Sequence, residues 1–445
     1  MPRKIFLAAL AILMIFTGCH QSVPEETNTF PSQVDESTVA TQSTTTAPET
    51  VPTEAETAPT EETTAPTVPE TWPEDPEGPL WTPICNEYIN LWGKADQTEF
   101  MGHVPVNAKL VLLKWQGKMA LISYNGKQGY VSANYIQPVE ENYFGSRLQV
   151  VSPTTKYTYQ QMQADMAALQ ALHPDLVQIS SIGKSEEGRD IPVMIVGNAN
   201  AVYHVLIQGA MHGREHFTAW LAMAIADQGL KQNLLGNVCY HIIPMSNPDG
   251  VTISQTATLN DVQKEIYQKD LASGYTYQNN SSNYAIQWKA NGLGVDLNRN
   301  FSSGWENSLE HTHPSAQKFR GTAPFSAAEA RALADYTQSR QFDATISLHS
   351  HGSVLYYQYG KRQPVNDQSY TLAKAVSQVT GYTPISYDGT TGAGYKDWAM
   401  DFLGIPSLTV EIGSTTTPLE QRDSYNTFDR FQNFFPAISQ WLHSN

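Results

Sequence analysis

Cysteine is scarce in this 445-residue sequence: only Cys19, Cys85 and Cys239 occur. Cys85 and Cys239 lack the spacing of a recognisable cysteine metal site. They are expected either to pair with each other or to lie as two buried thiols. Long apolar runs are also missing. Residues 5–16 form a short one, below the length that spans a bilayer comfortably. Residues 21–80 contain no lysine or arginine but hold 13 of the 43 acidic residues. The other 30 nearly balance the 27 basic residues, so the net charge of −16 belongs mainly to that segment. No basic stripe of the kind a phosphate backbone selects is present, which argues against a nucleic-acid partner.

What is present begins with an export signal. Arg3 and Lys4 precede the apolar run, which ends in Phe16-Thr17-Gly18-Cys19. That ending resembles a bacterial lipobox, with Phe16 in place of the usual leucine. The resemblance implies a lipoprotein signal over residues 1–19, cut just before Cys19 so that the lipidated cysteine becomes the mature first residue, and an extracytoplasmic protein anchored to the membrane without spanning it. Residues 20–79 are Thr, Pro, Glu and Ala with almost no aliphatic clusters, and are expected to form a disordered linker. Such a spacer would reach roughly 45 Å.

From residue 80 to about 139 the character changes. β-type runs at 88–91, 109–115, 119–124 and 128–131 are separated by Gln116-Gly117-Lys118 and Asn125-Gly126-Lys127. Five short strands in this length predict a small all-β barrel. Tyr124-Asn125-Gly126-Lys127-Gln128-Gly129-Tyr130-Val131-Ser132 and the following Ala133-Asn134-Tyr135-Ile136 resemble bacterial SH3-like domains. That resemblance implies binding to the cell wall.

Beyond about residue 141, helical and strand-like patterns alternate. Thr158 is expected to cap a helix reaching Leu172, with Met162, Met166, Leu169 and Leu172 facing the core. Apolar runs at 177–182, 192–196, 203–207, 240–244, 344–348 and 407–412 read as strands, several covered on both faces. The expectation for residues 150–445 is one α/β domain, a mixed, mostly parallel sheet flanked by helices. Sites in such sheets gather beyond the carboxyl ends of the strands.

Candidate chemistry clusters at those ends. Gln208-Gly209-Ala210-Met211-His212-Gly213-Arg214-Glu215-His216 falls between an apparent strand and an Ala- and Leu-rich helix. An imidazole and a carboxylate three residues apart can converge on one zinc ion, but a third protein ligand is needed. Ser347-Leu348-His349-Ser350 offers an imidazole at another strand end. Asp296-Leu297-Asn298-Arg299-Asn300 sets an amide beside a guanidinium. Leu408-Thr409-Val410-Glu411-Ile412-Gly413 places a carboxylate in an apolar strand, which raises its pKa and suits a general base. His216, four residues after His212, would be the second imidazole of an inverted zincin motif. That alternative needs one helix through Gly213 and leaves Asn298, Arg299 and Glu411 without a role.

Taken in order, the four motifs resemble the zinc carboxypeptidase family over roughly residues 153–445, implying a carboxypeptidase-like fold and one Zn²⁺. The resemblance implies His212, Glu215 and His349 as metal ligands. It implies Glu411 as the base that takes a proton from the attacking water and passes it to the leaving amine. Arg214, Asn298 and Arg299 are implied in substrate binding, and Asp296 in orienting His212. The family's oxyanion-stabilising arginine has no match; Lys289 falls in its place. The mobile tyrosine corresponds to Tyr387, with Tyr395 as rival. The pocket-floor position corresponds to Lys396, a cation suited to an extra substrate carboxylate.

Ala393-Gly394-Tyr395-Lys396-Asp397-Trp398 and Gly294-Val295-Asp296-Leu297-Asn298-Arg299-Asn300-Phe301 resemble the bacterial branch acting on γ-D-glutamyl–diamino acid bonds of peptidoglycan. The implied activity is hydrolysis of peptidoglycan stem peptides. Two alternatives stand beside it: a broad metallocarboxypeptidase feeding on exogenous peptides, and an inactive wall-binding lipoprotein.

Overall fold

The computed structural model describes residues 74–445, apart from residues 86, 155, 388, 391, 414–416, 420, 421 and 445. The expected signal segment, the lipid on Cys19 and linker residues 20–73 lie outside the described residues.

The first described part is an antiparallel sheet of seven strands: β1 (Leu80–Pro83), β2 (Tyr88–Trp92), β3 (Phe100–Pro105), β4 (Leu110–Gln116), β5 (Met119–Tyr124), β6 (Lys127–Ser132) and β7 (Ile136–Pro138). Their order is β3-β2-β6-β5-β4-β1-β7. The four runs expected as strands correspond to β2, β4, β5 and β6. β1 and β7 are too short to show a period, and β3, Phe-Met-Gly-His-Val-Pro, does not alternate. Asn125 and Gly126 both take positive φ, 48° and 68°, as a tight turn between twisted strands requires. The carboxylate of Asp75 ties this turn, accepting from the backbone N–H of Asn125 and Gly126 and from Ser123 Oγ. Trp81, Ile89, Leu91, Val104, Leu110, Ile122, Val131 and Ile136 fill one core.

The second sheet comprises β8 (Val177–Lys184), β9 (Asp190–Val196), β10 (Tyr203–Gln208), β11 (Val238–Ile243), β12 (Ala344–Ser350), β13 (Val354–Tyr356), β14 (Thr383–Ile385) and β15 (Ser407–Ile412). The order is β14-β13-β15-β12-β10-β11-β9-β8. The central pairs β11–β10, β10–β12 and β12–β15 are parallel, as is β13–β14, and the remaining pairs are antiparallel. This is the mixed, mostly parallel sheet expected. Every residue of β11 and β12 is buried, which requires helices on both faces.

Besides α1 (Tyr143–Arg147), α4 (Pro248–Thr256), α5 (Asp261–Ala272) and α6 (Ser281–Ile286), further helices supply that cover on either side. Val205 and Ile207 of β10 share a core with α2 (Tyr159–Leu172), α3 (Phe217–Lys231), α8 (Val365–Thr380), α10 (Arg422–Phe431) and α11 (Phe434–Ser444). Leu206 faces the opposite way, into a core with α7 (Ala328–Gln338) and α9 (Tyr395–Phe402). α3 is buried on every side from Phe217 to Leu230. Its one charge there, Asp227, accepts from the backbone N–H groups of Gln149, Val150 and Val151, which satisfies a carboxylate that would otherwise be costly to bury. Thr158 caps α2 as expected, accepting from Gln161 N–H. Met162, Met166 and Leu169 are buried, but Leu172 is 56% exposed, a correction to the expected core. It is the last residue of the helix, where the chain turns away toward β8.

Cys85 and Cys239 are both free thiols, so the pairing alternative does not hold; Cys239 is buried as expected, but Cys85 is only partly so. The small sheet packs against the large domain through a polar seam. Asp429 accepts from Trp115 Nε1 at 2.8 Å and from Tyr143 Oη at 2.6 Å. Arg430 donates to the carbonyl oxygens of Thr380 and Gly117, and its guanidinium lies 4.4 Å from the Trp115 ring centre. Gly117 N–H donates to Gly381 O. No helix among the described residues is long and apolar enough to cross a membrane.

Candidate metal centre and active-site cleft

The loop after β10 leaves the sheet at its carboxyl end and turns sharply before α3. Gly209 N–H donates to Ile243 O, Gly213 N–H to Lys289 O and Arg214 N–H to Trp288 O. Thr218 Oγ1 accepts from Ala210 N–H and donates to Glu215 O, locking the corner to the first turn of the helix. Gly213 lies so close to its neighbour that a Cβ there would sit 2.3 Å from Gly250 O. A short 3₁₀ turn, Gly213–Glu215, results in place of a helix through His212. His212 and Glu215 therefore point into one space, as the corner reading expected.

His349, in the penultimate position of β12, completes the group. The ligand atoms of His212, Glu215 and His349 lie within 4.8 Å of one another, and all three residues are buried. His212 Nδ1 is 2.8 Å from Glu215 Oε1, and His349 Nδ1 is 3.0 Å from Oε2. Asp296 Oδ1 accepts from His212 Nε2 at 3.2 Å. With that contact made at Nε2, the His212 ring turns Nδ1 onto a carboxylate oxygen, a pairing that either a proton on Nδ1 or a metal ion shared by the two atoms satisfies. The donor set, two imidazole nitrogens and a carboxylate, is that of a catalytic zinc site with an open fourth position, so these residues fit the ion. Burial alone would lift both carboxyls, but His212 beside them holds Glu215 and Asp296 well below the ordinary carboxylate range.

His216 is excluded from this group: it caps α3, is buried, and its Nδ1 has no partner. Burial drops its pKa to about 4. The inverted zincin alternative therefore fails on geometry. His311 and His313 lie elsewhere, bonded to Ser315 and Ser273.

Glu411 enters through the sheet register. It is the Cα partner of His349 across the parallel β12–β15 pair, so the two side chains rise on one face. The residue is half-buried, with its side chain lining the cleft. Burial pushes its carboxyl up to about 7; His349 opposes the shift and the Glu215 charge adds to it. The cleft has two lobes of about 310 and 200 Å³ that share Asn298, Arg299, Tyr356 and Glu411.

The other expected residues distribute over these lobes. Lys289 lines the metal lobe, its Nζ 3.9 Å from Glu215 Oε1. Arg214 donates to Gln287 Oε1 at 3.0 Å. Asn298 Oδ1 accepts from Tyr395 N–H, which fixes the amide plane. Arg299 Nε pairs with Glu310 at 3.1 Å. Tyr387 lines the second lobe and is 54% exposed. Tyr395 is wholly buried, bonded to Thr337 and packed on Phe301 and Trp398, so the rival tyrosine is removed from the cleft. Lys396 does lie in the second lobe, but its ammonium donates to Gln358 O at 2.9 Å and Asp397 Oδ1 at 2.5 Å. The expected cation is thus already paired.

Tyr356, Lys318 and His351 also line the metal lobe, outside the residues the motifs assign to the site. Tyr356 ends a three-residue strand, too short for any periodic signal. Lys318 and His351 carry no motif of their own.

The family model for zinc carboxypeptidases matches residues 162–443. Gamma-D-glutamyl-L-diamino acid endopeptidase 1 of Lysinibacillus sphaericus is 33% identical over 286 residues, covering 61% of this chain and 69% of its own. Carboxypeptidase A2 of Rattus norvegicus is 26% identical, covering 58% and 63%. Among solved structures, carboxypeptidase A from Helicoverpa armigera superposes with a TM-score of 0.50 at 18% identity, covering 74% of this chain and 91% of its own. The corner at His212, the imidazole at the end of β12 and the family match over most of the large domain agree: the chain belongs to the zinc carboxypeptidase family and is a zinc metallopeptidase.

Proposed function

We propose that the protein hydrolyses peptidoglycan stem peptides at the γ-D-glutamyl–diaminopimelate bond. The observation that carries the hydrolytic chemistry is the register pairing of Glu411 with His349, which sets a carboxyl of raised pKa beside the ligand group. Support for the bond comes from the 33% identical relative, whose name specifies a γ-D-glutamyl-L-diamino acid endopeptidase. The basic lining of the cleft, Arg214, Lys289, Arg299 and Lys318, suits a substrate rich in carboxylates.

In this reading His212, Glu215 and His349 hold one zinc ion. The chemistry that zinc supplies there when bound is Lewis acidity toward the scissile carbonyl and the attacking water. Glu411 accepts the proton of that water and delivers it to the leaving amine, so one carboxyl serves as base and then as acid. Asn298 and Arg299 bind a substrate carboxylate, Arg299 with the planar fork that suits two oxygens. Arg214 and Lys289 face the developing oxyanion. Tyr387 closes over the second lobe. Lys396, held by Asp397 and Gln358, organises the floor of that lobe.

We further propose an exported lipoprotein anchored through Cys19, with the small sheet contacting the cell wall. Mass spectrometry of muropeptides after digestion tests the function. Release of diaminopimelate-containing fragments from L-Ala-γ-D-Glu-meso-diaminopimelate supports it. Turnover only of ordinary C-terminal peptides would instead make the protein a broad carboxypeptidase.

A further inference from the structure

A second group of metal-ligand type lies at the opposite end of strand β10. His204, its second residue, is the Cα partner of Cys239 on β11, and His241 follows two residues later on the same face. His204 Nδ1 is 3.1 Å from His241 Nε2, and Cys239 Sγ is 3.7 Å from that same nitrogen. All three donor atoms lie within 4.8 Å of one another. Donors around a tetrahedral zinc at ordinary bond lengths stand roughly 3.3 to 3.6 Å apart. Two of these separations already bracket that range.

We propose that His204, Cys239 and His241 form a second, non-catalytic metal site for a thiophilic cation such as Zn²⁺. The donor set decides the class of ion. Two imidazoles and a thiol with no carboxylate suit zinc and disfavour calcium and magnesium, which require oxygen. The far side of His241 is held: its Nδ1 is 2.7 Å from Tyr336 Oη, and its ring packs edge-on against Phe342. This anchoring leaves Nε2 aimed at the other two donors, as outer partners of a ligand histidine do. A groove of about 540 Å³, lined in part by His204, Cys239, His241 and Arg340, gives an entry path and room for a water as fourth ligand. Arg340 is the opposing charge at this place. It is drawn aside over the Tyr336 ring, its guanidinium carbon 4.0 Å from the centroid. Binding converts the Cys239 thiol to a thiolate and releases one proton to the buffer, which offsets part of the dication's charge. A metal here would clip β10 to β11 and leave the catalytic cleft untouched.

Cobalt distinguishes this site from the catalytic centre, because only this site carries a thiolate. Full-length protein stripped of metal and reloaded with Co²⁺ is expected to bind two ions per chain and to show a thiolate-to-cobalt charge-transfer absorption in the near ultraviolet. Cys239→Ser should abolish that absorption and reduce binding to one ion, with peptidase activity retained. His204→Ala, at a partly exposed position, should also reduce binding to one, and guards against misfolding of the serine variant. His212→Ala should leave the absorption intact. One cobalt per chain in the unaltered protein, or an absorption that survives Cys239→Ser, would overturn the proposal.

Discussion

Glu411 carries two opposite requirements in one side chain. It must be charged to take a proton and neutral to give one back, and a carboxyl with a pKa near 7 meets both at neutral pH. Replacing it with glutamine removes the proton carrier but none of the three metal ligands. Glu411→Gln is expected to lower kcat by a hundred- to ten-thousand-fold with one zinc still bound at the catalytic centre, read by steady-state kinetics and metal analysis. His212→Ala should lose that zinc. A near-normal kcat in Glu411→Gln would remove the carboxyl from the mechanism. The raised pKa also sets a pH dependence. The base is active when ionised, so kcat/KM should rise with pH as Glu411 loses its proton. A cation beside it favours the ionised form, so the midpoint of that rise should lie at or below about 7. An acidic limb centred well above 7 would contradict the assignment.

At the level of elements, the corner between β10 and α3 depends on an absent side chain. Gly213 approaches the backbone at Gly250 too closely for any Cβ. Gly213→Ala is expected to cost roughly 1–3 kcal/mol and to weaken zinc binding, because the corner that aims His212 and Glu215 must shift. Thermal unfolding and a zinc competition titration would measure the two effects, and unchanged affinity would mean that the corner tolerates the shift. How much of this was legible in the sequence depends on the element. β10, β12 and β15 are continuous apolar runs, so their ends, and with them His212, His349 and Glu411, could be placed by pattern alone. β13 and β14 have three residues each and no period, so Tyr356 was invisible. The pairing of Lys396 with Asp397, like that of Arg299 with Glu310, depends on side-chain geometry that residue type does not encode. Cys239 has no cysteine near it in sequence to mark a metal site. Its neighbours His204 and His241 reach it only because β10 and β11 pair in this register.

At the level of the whole molecule, the seam between the small sheet and the large domain is built from buried polar groups. Arg430 is 2% exposed and holds one carbonyl from each side, Gly117 and Thr380. Arg430→Ala would leave both carbonyls without that donor and remove the stacking on Trp115. Its expected cost is roughly 2–4 kcal/mol. Calorimetry should show one unfolding transition in the unaltered protein and separate transitions in the variant. Two transitions already present without the substitution would mean that the seam does not couple the parts.

The bond between Gly117 and Gly381 joins the β4–β5 hairpin to the loop that leads into β14, an edge strand of the catalytic sheet. The hairpin and the catalytic sheet are thereby tied at this point. Under the proposed contact of the small sheet with the wall, a bound polymer would be held at a fixed place relative to the cleft instead of meeting it at random.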